Sequence, residues 1–131
     1  SIRRQRQMCI RDRFKYVMAT GNMLIADILR EMDIDALFGI DPVIEETSPE
    51  EIRKRLGDKV CLWGGVSEAV TFQQGTTEKV RRAVTDAIRA FAPGGRFVLS
   101  TVGSILQREG WRRNGPVMIE TWRKFGKYPL R

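Results

Sequence analysis

Short apolar runs alternate with amphipathic stretches four times between residues 14 and 131. The strand candidates are residues 14–19, 36–40, 60–63 and 96–100. Between and after them, residues 23–32, 48–56, 77–91 and 116–125 carry apolar side chains at helical spacing. Alternation of this kind builds a parallel sheet, because parallel neighbours need a crossover connection and a helix supplies it. Eight such units close a β/α barrel of roughly 250 residues. The expected fold class is α/β, with about four β/α units making half of a (β/α)8 TIM barrel. Such a half covers one face of its sheet and leaves two edges unpaired.

Local signals support this division. Thr20-Gly21-Asn22 reads as a tight turn after the first strand, and Leu24, Ile25, Ile28, Leu29 and Met32 fall on one helical face. Asp41-Pro42 closes the second strand, since proline ends a ladder. Ser48 is a helix cap, with Pro49 in the first turn and Glu51 completing a capping box. Gly57 ends that helix, and Gly64-Gly65 is expected to stop the third strand. Thr76 caps the longest helix, whose buried stripe is Val80, Val84, Ala87, Ile88 and Phe91. Pro93-Gly94-Gly95 turns the chain into the fourth strand. The last helix carries Met118, Ile119, Trp122 and Phe125, with Arg123 and Lys124 at its negative end and Gly126 as its C-cap.

The formal charge of +7 is concentrated at the start of the chain. Residues 1–13 hold five Arg against a single Asp, with no aromatic side chain to stack on a base and no helical period. They read as a basic, disordered head, and no nucleic-acid partner is expected. Their run Arg-Gln-Arg-Gln-Met-Cys-Ile-Arg-Asp also resembles a peptide that recurs when adapter sequence is translated from assembled reads. The expected organisation is thus a head over 1–13 and a partial barrel over 14–131. No apolar run approaches the roughly 18 residues of a membrane span, and no signal peptide is expected. Two cysteines, Cys9 and Cys61, make no disulfide framework, which points to a reducing cytoplasm. Cys61, within a predicted buried strand and with no His in the chain to activate it, reads as core.

Three stretches carry a family resemblance: Gly57-Asp58-Lys59-Val60-Cys61-Leu62-Trp63-Gly64-Gly65-Val66, Gly75-Thr76-Thr77-Glu78-Lys79-Val80-Arg81, and Phe91-Ala92-Pro93-Gly94-Gly95-Arg96-Phe97-Val98-Leu99-Ser100. Residues 14–131 resemble the last third or so of chains in the uroporphyrinogen decarboxylase superfamily. The ending through Trp122 and Gly126-Lys127-Tyr128-Pro129-Leu130 is similar to its uncharacterised members. The resemblance implies the C-terminal half of a barrel whose site opens at the C-terminal ends of the strands. One branch removes acetate carboxyls of uroporphyrinogen without a cofactor. Another, the methylcobamide:coenzyme M methyltransferases, moves methyl groups between a corrinoid and a thiol, using zinc held by a His-x-Cys pair and a distant Cys.

Against those motifs this chain diverges. Met18 and Thr20 stand at the His-x-Cys positions, ahead of Gly21, and the distant Cys falls among Thr101, Val102 and Gly103. None of these is a usual zinc ligand, so no metal is expected. Where the decarboxylases would have a histidine, this chain has Ser100-Thr101-Val102. No cofactor is implied by what remains.

The candidate site is positional, at the strand ends. Asn22 follows the first strand, Asp41 the second, Ser67 the third, and Thr101 and Ser104 the fourth. Asp41 is the catalytic candidate, matching an acidic-Pro pair found there in the family. A carboxylate at that mouth can orient a substrate or relay a proton, and a turn-forming Asp explains the residue equally well. Asn22, Ser67, Thr101 and Ser104 are the substrate-binding candidates. Glu45-Glu46 and Glu50-Glu51 read as helix-start charge and solvated surface.

Three functional readings stand. The first is a fragment of a decarboxylase-like barrel enzyme of tetrapyrrole or corrinoid chemistry, divergent at the known catalytic positions. The second is a zinc-free corrinoid or methyl-transfer-related binding module without catalysis. The third is a half-barrel that self-associates. The partners expected are a small molecule, namely a tetrapyrrole or a corrinoid-linked methyl donor, and either the missing N-terminal half-barrel or a second copy. Removing residues 1–13 is expected to leave unfolding stability within about 0.5 kcal/mol, the range for changes away from structural features. Urea titration of both chains checks this, and a loss of several kcal/mol would make the head part of the fold.

Overall fold

The computed structural model describes residues 13–103, 108–128 and 130. The chain forms a parallel sheet of four strands in sequential order: β1 (Lys15–Val17), β2 (Ala36–Ile40), β3 (Cys61–Ser67) and β4 (Phe97–Val102). A 3-10 turn over Asn22–Ile25 leads into α1 (Ala26–Glu31). Helices α2 (Pro49–Leu56), α3 (Thr77–Phe91) and α4 (Arg108–Phe125) complete the set. A π-helical segment, Glu68–Gln73, leaves the end of β3.

Sequential order decides where the helices go. A crossover between parallel strands is right-handed, so a chain that advances in one direction across its sheet places each helix on the same face. The helices accordingly pack side by side as α1, α2, α3 and α4. Leu37 of β2 and Leu62 of β3 are fully buried beneath them, in one cluster with Ala26, Leu29, Ile52 and Phe91. Val66, Phe72, Val80 and Val84 form a second cluster, which Trp111, Val117 and Met118 flank. Full burial of such side chains stabilises the fold by about 1.5–3 kcal/mol each.

The other face of the sheet is also apolar. Strand register aligns Val17 with Phe38, Phe38 with Trp63, and Trp63 with Val98. Alternation puts this row opposite Leu37 and Leu62. The Phe38 and Trp63 rings meet edge to face at 5.4 Å, and Lys15 Nζ lies 4.6 Å from the Trp63 ring centre. At the ends of the row Val17 is 58% exposed and Val98 41%. A four-stranded parallel sheet covered by helices on one face and apolar on the other is compatible with half a barrel.

Several elements differ from the sequence reading. β1 is shorter than residues 14–19, and β3 runs through Gly64-Gly65 rather than stopping there. Both glycines adopt positive φ, 144° and 103°, so they redirect the strand without ending it. In the first helical stretch Leu24 and Ile28 are exposed, while Met23, Ala26 and Leu29 are buried. Three residues per turn in the 3-10 segment shift the phase that an uninterrupted α-helix would keep. The last helix begins at Arg108, so Pro116 lies inside it rather than at its start. Asn114 holds that region down, its Nδ2 donating to the Phe72 and Gly75 carbonyls at 2.6 and 3.2 Å. Ser48 Oγ accepts from the Glu51 amide as a cap should, at 3.2 Å, and Glu51 pairs outward with Lys54.

Gly39 is where β1 and β2 come closest beyond their ladder. Its φ is 111°, and a Cβ there would overlap the Met18 carbonyl. Gly39→Ala is expected to cost about 3 kcal/mol from overpacking and backbone strain together. Denaturant unfolding measures it; a loss below about 1 kcal/mol would mean that the two chain segments are not held this close.

Candidate functional site

The C-terminal ends of the strands carry buried polar side chains, which a packed interior tolerates only when they are bonded. Asn22, Asp41, Ser67 and Glu68 are each no more than 2% exposed. Asn22 opens the 3-10 turn. Its Nδ2 lies 3.2 Å from each of three acceptors, the Met18 and Gly39 carbonyls and Glu45 Oε1. Glu45 Oε1 also accepts the Asn22 amide at 2.8 Å, and its Oε2 accepts the Met23 amide at 3.2 Å. One carboxylate from the turn after β2 thus caps the orphan amides of the turn after β1. Glu45 is therefore a half-buried clamp and not the solvated surface charge its sequence context suggested; only the fold brings residues 22 and 45 together.

Asp41 sits at the foot of that same turn. Its Oδ1 accepts from the Val43 and Ile44 amides at 3.1 and 3.2 Å, which is the turn-forming role. Burial pushes its carboxyl pKa above the ordinary 3.8, opposed by those amides and by the facing Ser67 hydroxyl and reinforced by the nearby Glu45 charge. Ser67, the last residue of β3, faces the carboxylate without closing a hydrogen bond. Thr101 lies within β4 rather than past its end and is half-buried. Ser104 lies outside the described residues. The structure therefore brings Asn22, Asp41 and Ser67 into one neighbourhood, Glu45 linking Asn22 to the Asp41 turn and Asp41 facing Ser67.

Glu68 is the polar residue that sequence reasoning missed. It begins the π-helical segment, a rare conformation that recurs at functional sites. Its Oε1 accepts from Gln73 Nε2 at 2.6 Å and from Trp111 Nε1 at 3.0 Å. Trp111, which also packs on Phe72 with ring centres 4.6 Å apart, ties α4 to the end of β3. Among the described residues Glu68 Oε2, Ser67 Oγ and Asn22 Oδ1 take no hydrogen bond. These buried acceptors suit ligand groups that donate hydrogen bonds.

The zinc-ligand positions fail on chemistry. Met18 Sδ lies 4.0 Å from the Tyr16 hydroxyl that donates to it, and Thr20 is exposed. Among the described residues no three His, Cys, Asp or Glu side chains are placed to hold a metal ion. Cys61 is at the opposite end of β3, where burial raises its thiol pKa against the lowering effect of Arg53 and Arg96. The residues present do not fit a thiolate–imidazole zinc centre. Among the described residues no helix is long and apolar enough to cross a membrane.

The chain is similar to a solved methyltransferase from Methanosarcina mazei, with a TM-score of 0.63 at 16% identity. The match covers 85% of this chain and 32% of that one, so this chain spans about a third of its length. At that identity the likeness shows the fold. No family model and no curated protein sequence matches the chain.

Replacing Asp41 separates its two roles. A raised folded-state pKa means that the folded chain holds the proton more tightly than the unfolded one. That contribution is complete below the unfolded pKa and is lost as pH rises through the folded value. Asp41→Asn keeps Oδ1 for the Val43 and Ile44 amides and removes the buried charge. At pH 7 it is expected to unfold at the same or a higher temperature than the parent chain, with the difference closing as pH falls below the ordinary carboxylate range. Asp41→Ala loses the cap as well and should be about 1 kcal/mol less stable than Asp41→Asn at every pH. Thermal unfolding across pH tests this; an Asn variant clearly less stable at pH 7 would show that the two amides outweigh burial.

Proposed function

We propose that this chain is the C-terminal half of a (β/α)8 barrel on the methyltransferase side of the uroporphyrinogen decarboxylase superfamily. On this reading it binds a corrinoid-linked or related small molecule at its strand ends without zinc. The observation that carries the reading is the sequential parallel sheet with buried, partly unfilled polar groups at its C-terminal ends, where barrel enzymes bind substrate. The three sequence stretches support the superfamily without choosing a reaction, and the fold likeness to a methyltransferase is what favours methyl transfer over decarboxylation in this reading.

In this proposal the chain's own residues position and bond the substrate. Glu45 and Asn22 fix the turns after β1 and β2, and Ser67 and Glu68 present acceptor atoms. Asp41, with its raised pKa, holds a proton to a higher pH than an exposed carboxylate does and can pass it to a leaving group. Thr101 and Ser104 remain substrate-binding candidates of this reading, and a reducing cytoplasm suits the cysteine usage. Catalysis by the intact protein would draw on groups that this chain does not contain.

Equilibrium dialysis of the protein against methylcobalamin, and separately against a uroporphyrin, tests the reading. Retention of the corrinoid in preference to the porphyrin, without added zinc, supports it. Retention of the porphyrin alone, retention of neither, or corrinoid retention that requires zinc overturns it.

A further inference from the structure

At the N-terminal ends of β3 and β4, away from the candidate site, two arginines face one cavity. Arg53 of α2 and Arg96, just before β4, line a space of about 360 Å³ with Asp58, Pro93, Gly94 and Gly95. The Arg96 carbonyl accepts the Leu62 amide at 2.9 Å, so this turn is held on the β3 side of β4 rather than at its unpaired side.

Backbone carbonyls fix both guanidiniums. Arg53 donates to the Gly57 and Phe91 carbonyls at the ends of α2 and α3. Arg96 Nη1 donates to the Asp58 and Lys59 carbonyls at 2.8 and 3.1 Å. A guanidinium carries five N–H donors, and Arg96 Nε and Nη2 spend none of theirs among the described residues. Planar forks held in place with donors to spare match the oxygens of a phosphoryl group or a carboxylate. Asp58 is the carboxylate of the lining, and among the described residues it forms no ion pair with either arginine. Burial lowers the Arg53 pKa, against the raising effect of Asp58, Cys61 and Tyr128, and a bound anion would offset that burial.

The backbone of the turn leaves room for such an anion. Gly94, Gly95 and Arg96 take φ of 76°, 81° and 59° in succession. Glycine adopts these angles freely, whereas Arg96 is strained there. A Cβ on Gly94 or Gly95 would meet no atom within 4 Å. A neighbouring cavity of about 560 Å³ shares Pro93 and Gly94 and adds Ile88, Phe125 and Tyr128 among its lining. Charge and apolar surface are thus adjacent.

We propose that Arg53 and Arg96 bind a phosphoryl group, and that the adjoining cavity receives the organic part of a phosphate monoester. This site is at the other end of the strands from Asn22, Asp41, Ser67 and Glu68, so it takes a ligand separate from the substrate. It stands whatever the strand ends bind.

Calorimetric titration with phenyl phosphate at low salt tests the site, with inorganic phosphate as the comparison and circular dichroism to confirm that each variant is folded. Phenyl phosphate is expected to bind once per chain, about tenfold tighter than inorganic phosphate because its ring is buried. Arg96→Gln should weaken it by about tenfold or more, the usual loss of a charged hydrogen bond. Gly94→Asp leaves both arginines in place and sets a carboxylate beside them, on a residue type that tolerates positive φ. It should abolish binding. No binding at millimolar ligand overturns the proposal, as does binding that neither variant weakens, which would place the anion elsewhere on this basic chain. Equal affinity for inorganic phosphate overturns the monoester and assigns the free ion.

Discussion

The right-handed crossover governs this molecule more than any single contact does. Four strands are laid down in order, each connection turns the same way, and so each helix lands on one face. A chain that reversed direction partway would place helices on both faces and bury its sheet completely. Here the helix-covered face holds both hydrophobic clusters. The opposite face holds an apolar row with no helix over it among the described residues.

The same geometry explains why polar chemistry gathers at one end. Loops leaving parallel strands converge at the C-terminal edge, and their amides need partners that the sheet no longer supplies. Glu45 and Asp41 provide them from a single turn, and in doing so both become buried carboxyls near one another. Glu68 performs the parallel task one strand over, holding Trp111 and Gln73. Stability and site are built from the same side chains, so a group available to a ligand is recognised by what it leaves unpaired.

What the sequence revealed tracks the range of the interactions. The stripe of α3, the Thr76 and Ser48 caps, and the extent of β2 depend on near neighbours and are legible in the residues themselves. Leu24 and Ile28 were misplaced because a 3-10 turn leaves no distinct apolar signature and shifts the helical phase after it. Gly64-Gly65 read as a stop because glycine serves turns and bulged strands alike. Pro116 read as a start, since the tertiary anchor Asn114 that sets α4 there lies some 40 residues along the chain from its carbonyl partners Phe72 and Gly75. Of the site, the positions of Asn22, Asp41 and Ser67 followed from strand ends alone. Glu45 and Glu68 act through contacts 23 and 43 residues away, to Asn22 and Trp111, and no local pattern encodes those.

Lys15 shows what the uncovered face would demand if the sheet were closed into a barrel. Its ammonium lies over Trp63 and near Phe38 on the side that lacks helices, where water still reaches it. Closure would remove that water, and a cation in an apolar interior is costly unless it is paired. The aromatic faces offset part of this cost, about 2 kcal/mol when desolvated. Lys15 also begins β1, so its stem can extend toward the end of the sheet opposite the polar strand ends, carrying the charge back to solvent. Along the strand direction the apolar row is thus flanked by a cation on one side and by buried acceptors on the other, where Asn22 Oδ1, Ser67 Oγ and Glu68 Oε2 take no hydrogen bond among the described residues.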